Sequence, residues 1–254
     1  MSLRVLLLAS SVFLAAAASA SAQTSDPNWT GPYVGLHLGA TLNNNQVGTS
    51  GSLPNNTNAL TTNVRPSSVV LDRNGVEGGA QVGYNYQYGR FVGGLEADIA
   101  LADANDSQIY QSPTAPSSRS YVSSKLDDLG TVRARLGYLV TPRVLFYGTG
   151  GYAYGDVKYR TDFANSAGAL AYTGSDKYTA GGYTYGAGVE YAYPVSVNLL
   201  GHQSAVTLRA EYIHYDLGKK QINVGAVPGV GSGGYVSNFK TLGDELRGGI
   251  NFKF

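Results

Sequence analysis

The sequence predicts an all-β protein, an eight-stranded antiparallel transmembrane up-and-down β-barrel with long extracellular loops. The prediction rests on three observations: the chain ends in a strand with one apolar face, apolar and polar residues alternate in seven earlier segments, and long and short connections alternate between these segments. In the last strand Phe254, Phe252 and Ile250 share one face, whereas Lys253 and Asn251 share the other. A strand between lipid and a polar lumen has this pattern.

The amino terminus predicts a secretory signal peptide over residues 1–22. Arg4 precedes an apolar stretch, and Ala20-Ser-Ala22 matches a small-residue cleavage site. The stretch is shorter than the ~20 residues that a spanning helix needs. We therefore expect cleavage after Ala22, which leaves residues 23–254 as one outer-membrane barrel domain.

Composition excludes several classes of partner. The chain has 18 Lys and Arg against 17 Asp and Glu, and the signal removes only Arg4, so the mature balance is 17 minus 17, or zero. A neutral chain attracts neither nucleic acid nor another charged polymer. The chain has no cysteine, so a closed, hydrogen-bonded sheet has to stabilise it without disulfides.

The first four predicted strands follow from alternation with a period of two. The first has Val34, Leu36 and Leu38 on its apolar face. The second and third form a hairpin around Gly89 and Arg90. The fourth places two arginines on its polar face. These strands cover residues 33–42, 76–88, 91–101 and 131–140.

The last four predicted strands are patterned less evenly. Glycines leave the lipid face of the fifth strand undecided, whereas the sixth and seventh alternate Tyr, Ala and Val with Gly, Arg and Glu. The eighth strand ends the chain. These strands cover residues 144–157, 183–193, 205–217 and 242–254.

The connections alternate in length, so all the long ones are expected at one rim of the barrel, which faces the outside in outer-membrane barrels. We predict that the long connections are polar loops over residues 43–74, 102–124, 158–178 and 218–238. Short turns lie at residues 89–90, 141–143 and 194–203. Aromatic residues near both rims indicate two interfacial girdles.

Five segments in order resemble the alphaproteobacterial porin-family surface antigens, small outer-membrane barrels of the OmpA and OmpX shape. The segments are Trp29-Thr-Gly-Pro-Tyr-Val-Gly, Thr131-Val-Arg-Ala-Arg-Leu-Gly-Tyr, Tyr185-Gly-Ala-Gly-Val-Glu-Tyr, Leu208-Arg-Ala-Glu-Tyr-Ile-His-Tyr-Asp-Leu-Gly and Leu246-Arg-Gly-Gly-Ile-Asn-Phe-Lys-Phe. The resemblance covers nearly the whole mature chain. It implies an abundant surface protein of a Gram-negative outer membrane; some members form narrow pores, bind haem or contact a host.

Ten charged residues are predicted to face the lumen. They are Glu77, Glu96, Asp98, Arg133, Arg135, Glu190, Arg209, Glu211, Glu245 and Arg247. An eight-stranded barrel is about wide enough for side chains to fill, so we expect opposite charges to pair and plug it. A turn near residues 199–200 would place Glu190 opposite Arg209. The alternative is a narrow, low-conductance porin, in which six acids against four arginines favour cations.

Histidine chemistry gives a third, less favoured hypothesis, an outer-leaflet lipid-modifying enzyme. His202-Gln-Ser204 resembles the His-x-Ser arrangement of barrel enzymes that deacylate lipid A. However, His202 is predicted in a periplasmic turn, away from that leaflet. His37 is predicted in the lumen and His214 at a rim, neither with a second ligand at metal spacing. We therefore expect no enzyme activity, no metal and no cofactor.

The predicted function is structural and interfacial, in envelope integrity and surface contact. We expect outer-membrane lipid and lipopolysaccharide as surroundings, the barrel-assembly machinery as a partner of the strand ending at Phe254, and an extracellular ligand or host surface at the loops. Residue patterns do not identify that ligand, nor do they determine the oligomeric state.

Overall fold

The computed structural model describes residues 27–254 except residues 73, 200 and 201, so the predicted signal peptide lies outside the described residues. The described chain has ten strands and one short helix, α1. No helix in the described part is long and apolar enough to cross a bilayer. The elements in chain order are β1 (Gly31–Leu42), β2 (Asn44–Gly51), α1 (Pro54–Thr61), β3 (Ser68–Asp72), β4 (Gly75–Tyr88), β5 (Phe91–Gln111), β6 (Arg119–Thr141), β7 (Val144–Ala164), β8 (Leu170–Leu199), β9 (His202–Ala226) and β10 (Gly234–Lys253).

Eight of these strands close into an antiparallel barrel in the order β1-β4-β5-β6-β7-β8-β9-β10, with β10 pairing back onto β1. The closing ladder runs from Tyr33 opposite Lys253 to Leu42 opposite Asp244. The predicted strand number is therefore confirmed. Alternation also holds, because Leu36, Leu38 and Leu246 are exposed on the wall whereas their sequence neighbours point inward.

The undecided facing of the fifth barrel strand, β7, is resolved by the closed sheet. Phe146 and Tyr152 are exposed on the outer wall, whereas Leu145, Tyr147 and Ala153 are buried. Gly148 and Gly150 lie on the same outer face between the two aromatics. The apolar–polar alternation of β7 could not be recognised in the sequence, because glycine has no side chain that distinguishes one face of a strand from the other.

Three of the four predicted long polar loops are wrong for most of their length, because the strands continue through them. β5 extends to Gln111, β6 begins at Arg119, and β8 begins at Leu170. About ten residues of a strand cross a bilayer, so a strand such as β10, with 20 residues, projects about 30 Å further along its own axis. We refer to this extracellular continuation of the barrel as the tower.

The first predicted loop also carries wall strands. β2 continues β1 along β10 in the same register, from Gly48 opposite Asn238 to Gly51 opposite Tyr235. β3 likewise continues the β4 side of the same hairpin. Only the segment between β2 and β3, residues 52–67, leaves the wall. It contains α1 and crosses the extracellular mouth, and we refer to it as the lid.

The tower wall has a seam between β8 and β9. Ladder pairs join Thr173 to Gly225 and Tyr183 to Asp216, but no ladder pair joins the described residues between these points. Gly218, with a φ of 82°, lies in this interval of β9. Lys220 and Asp176 form an ion pair of 3.1 Å across the seam and stay partly exposed although they point inward. Water therefore reaches this part of the wall.

Candidate functional site: the barrel lumen

The lumen at membrane level contains all ten predicted charged residues, and each is at most 6 % exposed. They point inward because they occupy the polar face of alternating strands. The charged side chains come from six strands, β4, β5, β6, β8, β9 and β10. The barrel thus brings charged residues from six strands into one layer.

Arg133 lies at the centre of this layer. Its Nη2 donates to Glu96 at 2.6 Å and to Asp98 at 3.0 Å, and its Nη1 donates to Glu211 at 2.9 Å. Arg209 also donates to Glu96, at 2.6 Å, and to Glu211, at 3.1 Å. Two guanidinium groups therefore share two carboxylates.

The remaining arginines extend the network to both sides. Arg247 donates to Glu77 at 2.7 Å and to Asp98 at 2.9 Å. Its Nη2 lies 2.6 Å from a Glu245 carboxylate oxygen. On the other side Arg135 donates to Glu190 at 2.7 Å.

The register prediction for Glu190 is confirmed, since its Cα lies opposite that of Arg209. The carboxylate nevertheless pairs with Arg135, 55 residues away in sequence. Inward side chains are long relative to the lumen, so they contact strands other than their ladder neighbours. Register alone therefore does not determine the ion pairs.

Neutral polar groups complete the layer. The alternation predicts the inward position of residues such as His37 and Asn251, but not their hydrogen bonds. Tyr33 donates to Glu96 at 2.7 Å, Thr131 donates to Asp98 and Thr207 to Glu190. Asn251 donates to Glu190 at 2.9 Å. His37 is buried against Gln81, with 2.6 Å between Nδ1 and Oε1. All lie on inward faces of the alternating strands.

Apolar side chains close the lumen on the periplasmic side of the charged layer. Trp29 is 1 % exposed and packs in a cluster with Val92, Leu139, Leu145, Tyr147 and Ala192. Its indole nitrogen donates to the carbonyl of Pro142 at 3.0 Å, which ties the N-terminal segment to a periplasmic turn. Lys253 donates to the carbonyl of Thr30 at 2.7 Å beside it.

The extracellular side is closed by an apolar core inside the tower. Val47 and Leu71, from β2 and β3, pack there with inward residues of the other strands, including Leu126, Val157 and Phe239. Tyr159 stacks on Phe239 with 4.4 Å between ring centroids. The lid covers this core at the mouth. The charged layer therefore lies between two apolar layers.

Charged pairs on the outer face of the tower are more exposed than those in the lumen and form smaller groups. Asp127 contacts Lys158 at 2.6 Å and Lys125 at 2.9 Å. Hydrogen bonds from the two ammonium groups hold the pKa of Asp127 below its usual value. Exposed pairs of this kind contribute at most about 1 kcal/mol.

The positions of His202 and His214 add little support for an enzymatic or metal-binding role. His202 begins β9 at the short-turn end, and its side chain lies outside the described residues. His214 lies on the outer wall, with Nδ1 2.8 Å from Asp244, which also accepts from Tyr212 at 2.6 Å. In the described part of the chain no three metal-ligating side chains cluster.

The closed barrel, its apolar outer wall and its polar lumen define an outer-membrane β-barrel protein. The family model for the outer membrane protein beta-barrel domain matches residues 6–241. The chain belongs to this family, and its location is the outer membrane.

Curated relatives agree with this assignment. A 31 kDa outer-membrane immunogenic protein of Brucella melitensis biotype 1 is 35 % identical over 240 residues, covering 92 % of this chain and 89 % of the relative. A 22 kDa outer membrane protein of Rhizobium leguminosarum bv. viciae is 34 % identical over 178 residues, 69 % of each chain. The crystal structure of OprG from Pseudomonas aeruginosa has a TM-score of 0.52 at 11 % identity, covering 90 % of this chain and 98 % of OprG, which shows the fold alone.

Proposed function

We propose that this outer-membrane protein is a closed structural barrel that contributes to envelope integrity and presents a folded surface to the exterior. The observation that supports it best is the continuous ion-pair network, in which every predicted lumen charge lies within 4 Å of an opposite charge. Apolar layers on both sides add to the barrier. A wide aqueous path would need all three layers to rearrange.

Single-channel conductance of residues 23–254, refolded into a planar bilayer, tests the closed lumen. We expect no stable conductance steps. A wide-channel porin reconstituted in the same bilayer is the positive control, which establishes that the assay detects an open lumen. Reproducible steps from the wild type would overturn the closed barrel and favour the porin alternative, with a preference for cations because acids outnumber arginines.

We also propose that the chain is not a lipid-modifying enzyme. His202 lies at the periplasmic end of β9, whereas lipid A is held in the outer leaflet. Lipid A incubated with the refolded barrel should keep all its acyl chains. Hydrolysis by the wild type that is lost in His202→Ala would refute this proposal.

The proposed partners follow from the two ends of the barrel. Lipopolysaccharide would surround the base of the tower, and the lid and tower tips would meet an extracellular ligand or host surface. The barrel-assembly machinery would receive β10, whose terminal Phe254 remains on the outside of the barrel.

Phe254→Ala should slow membrane assembly in cells without changing the folded structure, and normal assembly kinetics would contradict this role.

A further inference from the structure

Three aromatic rings face one another at the extracellular mouth. Phe163, Tyr172 and Tyr235 come from the outer ends of β7, β8 and β10. The Tyr235 ring lies 5.0 Å from each of the other two, edge to face. The Tyr172 hydroxyl also donates to the carbonyl of Ser232 at 3.0 Å. Barrel strands carry all three rings, and the lid adds Leu60 beside them and a 3.3 Å hydrogen bond from Asn56 to the Tyr172 hydroxyl. We refer to the three rings as the cage.

The cage is occupied by Arg65 of the lid. Its guanidinium carbon lies 4.5 Å from the Tyr172 centroid, 4.9 Å from Tyr235 and 5.1 Å from Phe163. The residue is 6 % exposed, and its Nε and Nη1 have no hydrogen-bond partner. Nη2 has one long contact, 3.4 Å to the carbonyl of Ala164. Among the described residues, no carboxylate pairs with it.

Arg65 differs in this respect from the four lumen arginines, each of which has at least one carboxylate partner. Burial of a cation without a counter-charge is unfavourable, and cation–π contacts offset that cost only in part. Arg65 is therefore held mainly by ring faces, which bind any cation of suitable shape. A competing cation from outside would contact the same three rings, because the rings belong to barrel strands and not to the lid.

We propose that the cage is a binding site for a guanidinium group, closed in the resting state by Arg65, and that its ligand is an arginine side chain of an extracellular peptide. This proposal deepens the surface-contact role proposed above and rests on it. Guanidinium is favoured over a rounder ammonium because its planar faces stack on aromatic rings and its N–H groups can reach the Ala164 carbonyl.

Calorimetric titration of methylguanidinium into Arg65→Ala tests the vacated site. We expect saturable binding at least tenfold tighter than to the wild type, in which Arg65 competes. Methylurea, a neutral molecule of similar shape, should not bind. Arg65→Ala/Tyr172→Leu should lose the binding, whereas Arg160→Ala, which removes an exposed arginine at the same end, should behave as the wild type. Heat-modifiable gel migration confirms that each variant is folded.

A second measurement uses the unaltered protein. Amide hydrogen exchange of residues 52–67 should accelerate when methylguanidinium displaces Arg65, and methylurea should have no effect. Absence of saturable binding to Arg65→Ala, or unchanged lid exchange in the wild type, would overturn the cage proposal. Surface binding that depends on the lid but not on the cage would leave the proposed function standing and refute this inference alone.

Discussion

Arg209 shows how the lumen uses charge at the scale of one residue. It contacts Glu96 and Glu211, which also contact Arg133, so its removal leaves two buried carboxylates with fewer cations. Breaking a buried pair on one side costs about 3–5 kcal/mol, more than an intact pair contributes. Loss of one guanidinium therefore affects the whole layer.

Arg209→Met should lower the free energy of unfolding by about 3–5 kcal/mol, because the substitution keeps the side-chain volume and removes the charge. Urea-induced unfolding in lipid vesicles measures the change. Asp127→Asn is the matched control: it weakens an exposed pair on the tower and should cost about 1 kcal/mol or less. Equal stability of Arg209→Met and the wild type would show that the network does not stabilise the barrel.

Alternation in the sequence identified the inward charged residues but not their partners. Strand periodicity reports which face a side chain occupies, and this is why Glu96 and Arg133 could be placed in the lumen. Partner choice depends on the curvature of the closed barrel, which brings Glu190 to Arg135 and Arg247 to Asp98. That curvature cannot be predicted from a local sequence pattern.

At the scale of elements, the seam between β8 and β9 is the part of the tower wall that we expect to open first, because ladder pairs are missing between its described residues. Unpaired backbone groups need water as a partner, so this interval should open more readily than the fully paired walls. Ile222 points inward at the seam and is 4 % exposed, whereas Val157 is equally internal but lies on β7, which is paired on both sides.

Ile222→Cys should react with a small maleimide faster than Val157→Cys, since local opening exposes the first position and not the second. The natural chain has no cysteine, so each variant carries a single reactive thiol. Labelling rates followed by mass spectrometry in lipid vesicles give the comparison. Equal rates would mean that the seam is as closed as the rest of the wall.

The lid and the wall strands beside it should respond differently to deletion. Replacing residues 52–67 by a short Gly-Ser linker removes only the cap and should leave a heat-modifiable, folded barrel. Deleting residues 43–74 also removes β2 and β3, including Val47 and Leu71, and so exposes the rest of the tower core that these two side chains pack against. That longer deletion should reduce the folded fraction on gels, and equal folding of both variants would contradict a structural role for β2 and β3.

The extension of β5 could not be predicted because the first residues of its inward face are small. Ala102 and Ala104 face the core, and such small side chains give an apolar alternation too weak to distinguish a strand from a loop of low hydrophobicity. Strand propensity depends on cross-strand neighbours as well as on the residue itself. The membrane-level strands had stronger signals, since lipid requires large apolar side chains.

At the scale of the whole molecule, the tower should resist proteolysis despite its many basic residues. Lys158 and Lys177 pair in adjacent strands, and Lys219 and Lys240 pair in another ladder. Proteases need an extended chain that leaves its sheet, so trypsin applied to intact cells should release no tower fragments. Rapid cleavage at these lysines would indicate mobile loops in place of a folded tower.

The alternation of the tower strands also determines which residues an antibody or a phage can contact. Only every second residue of each tower strand points outward, and residues that meet on the outer face belong to different segments, as with Lys158 and Asp127. An epitope on this surface is therefore conformational, assembled from neighbouring strands. A linear peptide copied from β7 would display both faces at once and would be a poor mimic of the native antigen.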